Sequence, residues 1–194
     1  IEKSPYLEAF KSRGIEVLLT YEPIDEFVMN HARSFKEKSF VSADSKDLDL
    51  DSINKPTDDK KSKMSAKSEK ELCEFMIKVL PNTKEVTASS RLTNSPAMIV
   101  NGDKMMTAQM KRMMKAMQQN EGSNYDNSEI HLEINPHHPL IKNLAKLHTK
   151  NSSVAKLLAN QILNTAKISA GLMEDPSDLV EKNYEIMNKL SKFV

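Results

Sequence analysis

Apolar residues recur along this chain at two spacings, and each change of spacing marks an element boundary. Residues 4–12 carry a helical pattern that stops at Gly14, and Ile15-Glu16-Val17-Leu18-Leu19-Thr20-Tyr21 then reads as a strand. Pro23 opens a second helix with Ile24, Phe27, Val28 and His31 on one face, and residues 39–42 read as a short strand. Together these pieces predict a βαβ-like unit. About 40 residues bury too little surface to stand alone, so this unit is expected to close a larger domain. From Asp44 to Ala66 the pattern gives way to Asp, Ser and Lys with Pro56 among them, which predicts a solvated linker. Asp47, Asp49 and Asp51 alternate like calcium ligands, but the glycine turn and terminal Glu of an EF-hand loop are missing.

Beyond the linker a helix is predicted over 67–80, with Leu72, Phe75, Met76 and Val79 on one face and Pro81 as its stop. Strands over 84–92 and 97–101 flank a Thr93-Asn94-Ser95-Pro96 turn, and 130–134 is a third strand. Asn135 and Pro136 supply the cap and first-turn proline of a helix running to His148. A further helix covers 153–170 up to Gly171, and Asp175 with Pro176 repeats the start signal for a last helix reaching Phe193. The fold class is therefore α+β.

Two constellations stand out. On the helix expected from Asp103 to Gln119, Met106, Met110, Met113, Met114 and Met117 share one face, and Lys104, Lys111, Arg112 and Lys115 occupy the rest. Such a stripe either faces an ordinary core or offers an adaptable apolar surface, because methionine is flexible and polarizable. In the last helix Leu179, Ile186, Met187, Leu190 and Val194 fall together with Asn183. The helix before it carries Val154, Leu157, Leu158 and Ile162, then the small residues Ala166, Ser169 and Ala170, which permit close approach. A helical hairpin of this kind caps its own domain or pairs with a copy of itself in a four-helix bundle.

Composition narrows the chemistry. With 28 basic and 27 acidic side chains the net charge is +1, so no global field marks nucleic acid or an anionic membrane as the partner. No apolar run is long enough for a transmembrane helix. Cys73 is the single cysteine, which excludes an internal disulfide and a multi-cysteine zinc site, and reads as a small buried hydrophobe. His131, His137, His138 and His148 lack carboxylates at ligand spacing. With 4 glycines there is no phosphate-cradling loop, and no nucleophile elbow or carboxylate dyad is visible. The chain opens at Ile1 without a signal pattern and reads as a fragment.

Several blocks together carry a resemblance. Ser4-Pro5-Tyr6-Leu7-Glu8, Gly14-Ile15-Glu16-Val17-Leu18, Ile24-Asp25-Glu26, Ser90-Arg91-Leu92-Thr93-Asn94-Ser95-Pro96, Leu132-Glu133-Ile134-Asn135-Pro136-His137-His138-Pro139-Leu140-Ile141 and Glu174-Asp175-Pro176 resemble heat shock protein 90 chaperones in order and spacing. The resemblance implies that residues 1–57 end a middle domain and that 64–194 form a C-terminal dimerisation domain, a three-stranded sheet with helices whose last two helices build a four-helix bundle in the dimer. It implies a homodimer seam at Leu157, Leu158, Ile162, Ala166, Leu179, Asn183, Ile186, Met187 and Leu190. It also implies contact with unfolded or partly folded client proteins through Met105, Met106, Met110, Met113, Met114 and Met117.

ATP and magnesium would bind an N-terminal domain of the parent, so the parent is expected to be an ATPase. This chain is expected to hold no catalytic, cofactor-binding or metal-binding residue and to be no enzyme by itself. Three departures separate it from cytosolic eukaryotic members: Lys36-Glu37 in place of an Asp-Gly turn, Met105 and Met106 in place of a Trp, and an end at Ser191-Lys192-Phe193-Val194 in place of an acidic tail. They resemble the bacterial and organellar branch, most closely the mitochondrial type, and imply no tetratricopeptide co-chaperones if Val194 is near the native end. A cytoplasmic location is the alternative. The rival functional readings are a structural or adaptor dimerisation module without clients and, more distantly, a metal-dependent hydrolase.

Overall fold

The computed structural model describes residues 4–50, 64–102, 129–173 and 176–193. Helix α1 (Pro5–Arg13) starts behind Ser4 with proline in its first turn and stops where Gly14 takes a left-handed φ of +64°, a conformation that costs glycine nothing. Residues 15–21 are extended but pair with no strand among the described residues, so the expected βαβ-like unit does not form. Alternation fixes which side chains face inward, and Ile15 and Val17 do lean on Ala9, Phe10 and Leu50. A ladder also needs a neighbour to bond, and none is present among the described residues. Helix α2 (Pro23–Ala32) follows, with the Asp25 carboxylate bonding back to the N–H groups of Tyr21 and Glu22, and it leaves Ile24, Phe27 and Val28 exposed.

Instead of a strand over 39–42, a small hairpin pairs β1 (Ser34–Phe35) with β2 (Lys38–Ser39). Its two connecting residues, Lys36 and Glu37, sit at φ +47° and +65°, so the turn keeps the handedness usually served by Asp-Gly although neither residue is glycine. Of the stretch expected as a linker, residues 44–50 make specific contacts, and 51–63 lie outside the described residues. Ser45 bridges Asn101 in parallel, Asn101 N–H donates to the Asp44 carbonyl at 2.7 Å, Lys46 N–H donates to the Asn101 carbonyl at 2.9 Å, and Leu50 is buried.

Helix α3 (Ala66–Val79) is capped by Ser65 and buries Leu72 and Met76. Strands β3 (Thr83–Ala88), β4 (Ala97–Val100) and β5 (Ile130–Ile134) form a sheet in the order β3-β5-β4, with β5 parallel to β3 and antiparallel to β4. Helix α4 (Pro139–Lys150) begins later than predicted, with His138 as its cap, because Pro139 keeps His138 extended at ψ 133° and Asn135 Oδ1 accepts the His137 N–H in the turn before it. Helix α5 (Ser152–Ser169) is capped by Asn151, and α6 (Ser177–Leu190) ends in a 3₁₀ turn over Ser191–Phe193 rather than continuing as α-helix.

The period of two splits the sheet into unlike faces. Val86, Ala97, Ile99, Ile130, Leu132 and Ile134 face α3, α4 and α5 in the main core. Glu85, His131, Glu133, Met98 and Val100 share the opposite face by register, and there the segment 4–50 docks. Leu132 lies on the central strand and is 1% exposed, so Leu132→Ala should cost about 2–5 kcal/mol, read from urea unfolding. Glu37→Gly removes a strained left-handed residue and should stabilise the hairpin by about 0.5–1 kcal/mol, seen as slower hydrogen exchange at the Phe40 N–H, which bonds the Arg33 carbonyl.

Candidate functional site

Three blocks of sequence far apart in the chain meet on the polar face of the sheet. Glu133 projects from β5 and pairs with Arg91, whose Nε lies 3.3 Å from Oε2 and whose terminal nitrogen engages Oε1. Both are buried, Arg91 to 5% exposure, and the Ser89 hydroxyl donates to the same carboxylate. The remaining Arg91 nitrogen donates to the Ser45 carbonyl at 2.8 Å, which ties the N-terminal segment into the pair. Asn135 holds the other end of the 89–96 loop: its side-chain N–H₂ donates to the Ser95 carbonyl at 3.1 Å and its backbone N–H to the Pro96 carbonyl at 2.9 Å.

On the outer side of this loop sits Glu8 of α1. Its Oε2 accepts from the N–H of Thr93 and of Asn94, both at 2.8 Å, and its Oε1 accepts from the N–H of Ser95 at 3.0 Å and from the Ser95 hydroxyl. Burial pulls this carboxyl up, but the Ser95 hydroxyl and the three N–H groups outweigh it and hold the group below its usual range. Two residues earlier on α1, Tyr6 donates its hydroxyl to the Ile99 carbonyl at 2.6 Å and rests against Leu92, Met98 and Val100.

A second ionic group lies further along the same face. Glu85 accepts from Lys46 of the N-terminal segment and lies 3.0 Å from His131 Nδ1. Lys46 and then His131 draw its pKa below the ordinary value against a smaller effect of burial. The His131 ring lies so close to Gly102 that a Cβ there would meet Nε2 at 2.7 Å, which accounts for glycine at this position. Elsewhere, burial beside Glu69 and Glu74 pushes the Cys73 thiol up to about 11, so it stays protonated at neutral pH.

The terminal hairpin divides the residues expected at a dimer seam. Ile162 and Ala166 of α5 are 4% and 2% exposed inside their own protomer's core, and Leu157 and Leu158 are half-buried. On α6, Leu179, Asn183 and Ile186 are half-buried, and the helix packs on α5. Met187 instead belongs to a second stripe with Val180 and Tyr184, exposed to 60%, 49% and 62% respectively, and Ile168 of α5 is exposed as well. The period of 3.6 alone blurred these two stripes, because Met187, four residues after Asn183, sits beside it on the wheel. The side chain of Leu190 lies outside the described residues, as do Met105, Met106, Met110, Met113, Met114 and Met117.

Sequence reasoning quoted Glu8, Arg91, Glu133 and Asn135 as parts of motifs without assigning their partnership. Opposite charges at Arg91 and Glu133 were the available signal, but 42 residues separate them. Glu133→Ala leaves a buried guanidinium without its anion and should destabilise by about 3–5 kcal/mol, whereas Glu133→Leu with Arg91→Met should recover most of that in thermal unfolding. Glu8 and Glu85 both have folded pKa values below the ordinary 4.5. Their contributions are therefore complete above that value and are lost as pH falls through it toward the folded values. Acid titration followed by circular dichroism should show a shallower loss of stability below pH 4.5 in Glu8→Gln than in the wild type.

The profile of the family described as Hsp90 protein matches residues 1–193. Chaperone protein HtpG of Desulfotalea psychrophila is 40% identical over 97% of this chain and 31% of its own length. Chaperone protein HtpG of Desulfitobacterium hafniense is 37% identical over 97% of the chain and 30% of its own length, and that of Chromobacterium violaceum is 35% identical over 98% and 30%. The chain thus spans about a third of the length of the curated relatives it matches. The joint described above is built from Ser4–Glu8, Ser89–Pro96 and Leu132–Asn135, all inside the matched span, and by that match the chain belongs to the Hsp90 family.

Proposed function

We propose that this chain is the self-associating, client-contacting part of an Hsp90-type molecular chaperone, with residues 1–57 closing a middle domain and 64–194 forming a dimerisation domain. The observation that carries the reading is the second apolar stripe of α6, where Val180, Tyr184 and Met187 meet water although the first stripe is already packed on α5. Leaving such a stripe uncovered is unfavourable by about 25 cal/mol per Å², and a second copy related by a two-fold axis supplies the same stripe to cover it. On α5, Ile168 is exposed and Leu157 and Leu158 are half-buried, while Ile162 and Ala166 lie inside the protomer's core.

The family assignment supports the remaining parts of the reading. In the parent, ATP and magnesium bind upstream of this chain and hydrolysis takes place there, while the present residues hold two protomers together. The methionine segment that includes Met106, Met110, Met113 and Met117 offers clients a flexible apolar surface beside basic residues. The relatives named above are bacterial, which favours the cytoplasmic alternative over an organelle.

Sedimentation of the chain at tens of micromolar should give a dimer, and Tyr184→Asp with Met187→Asp should give a folded monomer. A wild type that stays monomeric overturns the self-association. Met110→Ser with Met113→Ser should leave thermal unfolding nearly unchanged and weaken suppression of a model client's aggregation. A loss of stability of several kcal/mol would instead return those methionines to a core and remove the client assignment.

A further inference from the structure

We propose that the Thr93-Asn94-Ser95 loop is a preformed carboxylate receptor with Glu8 as its ligand, so that α1 is a releasable latch between the N-terminal segment and the sheet. Three successive backbone N–H groups converge on one carboxylate, at 2.8, 2.8 and 3.0 Å, and the Ser95 hydroxyl adds a fourth donor. Consecutive N–H groups turned to one side form a concave nest selective for anions, and bonds to an ionised acceptor are about twice as strong as neutral ones.

The loop owes its shape to partners other than α1. Ser89 N–H donates to the Ile134 carbonyl at 2.8 Å, Arg91 and Ser89 are both fastened to Glu133, and Asn135 holds the Ser95 and Pro96 carbonyls. All of these groups belong to the loop or to β5 and the residue after it. The three donors therefore stay aimed outward when Glu8 departs, and an emptied nest retains its preference for a carboxylate. The nearby cation does not compete for Glu8, because Arg91 is turned toward Glu133 and the Ser45 carbonyl. Apart from the Tyr6 ring, the contacts described between the N-terminal segment and the polar face of the sheet are hydrogen bonds and ion pairs. Polar joints within one chain open more readily than apolar ones.

The test uses the full chain and stands apart from the chaperone reading, since neither clients nor dimerisation enter its readout. In Glu8→Ala the N–H groups of Thr93, Asn94 and Ser95 should exchange with deuterium about ten-fold faster or more, while those of Ile99 and Leu132 hold their rates and report an intact sheet. Tryptic cleavage after Arg13, which is buried in the wild type, should also become faster. Sodium formate, compared with sodium chloride at equal ionic strength, should then shift those three amide resonances saturably in Glu8→Ala and leave the wild type unmoved, because its nest is full. Glu8→Gln keeps the shape and loses the charge, and should show a smaller acceleration of the same three amides. Should the sheet amides of Glu8→Ala lose protection wholesale, Glu8→Gln decides. Unchanged exchange at 93–95 in a folded variant, or equal formate shifts in wild type and Glu8→Ala, would overturn the receptor.

Discussion

Removing a guanidinium and a carboxylate from water is expensive, and the Arg91–Glu133 pair persists in the interior because each partner is hydrogen-bonded through several atoms. The Ser89 hydroxyl and two nitrogens of Arg91 satisfy the Glu133 carboxylate, and the Ser45 carbonyl takes the third Arg91 nitrogen. An apolar replacement could match this pair in stability, but it could not shape the loop. A guanidinium accepts partners only along its fixed N–H directions, so anchoring Arg91 on the central strand fixes where Leu92 and the following residues go. Leu92 then fills a small apolar cluster with Met98 and Val100, and the N–H groups of residues 93–95 point away from the sheet toward α1. The docking of the N-terminal segment depends on that placement.

The contrast between the two sheet faces follows from what each must cover. Helices α3, α4 and α5 bring wide apolar faces, and the sheet answers with Val86, Ile99, Leu132 and Ile134. The N-terminal segment brings little apolar surface to the other side, so attraction there has to come from directed polar contacts, which are specific in register as well as in strength. The 44–46 stretch bonds Asn101 through a single parallel bridge, Lys46 reaches Glu85, and Glu85 in turn holds His131 against Gly102. A shift of one residue in this stretch would misalign the backbone bonds and the ion pair together, which is the sense in which polar joints fix position.

Local signals made most elements legible. Proline in the first turn, polar caps at Ser65 and Asn151, and glycine at the ends of α1 and α5 mark helix limits because each acts within one turn of the chain. Where the reading failed, the deciding partner was distant. Residues 15–21 alternate like a strand, yet forming a ladder depends on a neighbour that alternation does not specify. At Asn135 the deciding residue was near instead: its Oδ1 does accept the His137 N–H, but Pro139 keeps His138 extended, so the helix starts only at Pro139. The joint was visible only as a set of motifs resembling a family, since nothing within a turn of Glu8 indicates that its carboxylate meets residues 93–95. The split of α6 into two stripes was hidden for another reason: a wheel shows one broad apolar sector whether one neighbour covers it or two.

That breadth has a physical implication of its own. A helix that needs only to close its domain can afford one apolar stripe and a charged back, and α6 has charged residues enough for that in Glu181, Lys182, Glu185 and Lys189. The Lys189–Glu185 pair at 2.8 Å marks the solvated side. Between it and the stripe resting on α5 lie Val180, Tyr184 and Met187, whose spacing of four and three keeps them aligned along the axis. Scattered apolar residues on a surface need no explanation, whereas three in register on one helix make a continuous stripe, and Ile168 of the adjoining helix is exposed as well. Two such patches meeting about a two-fold axis would place α5 and α6 of each protomer in one four-helix arrangement.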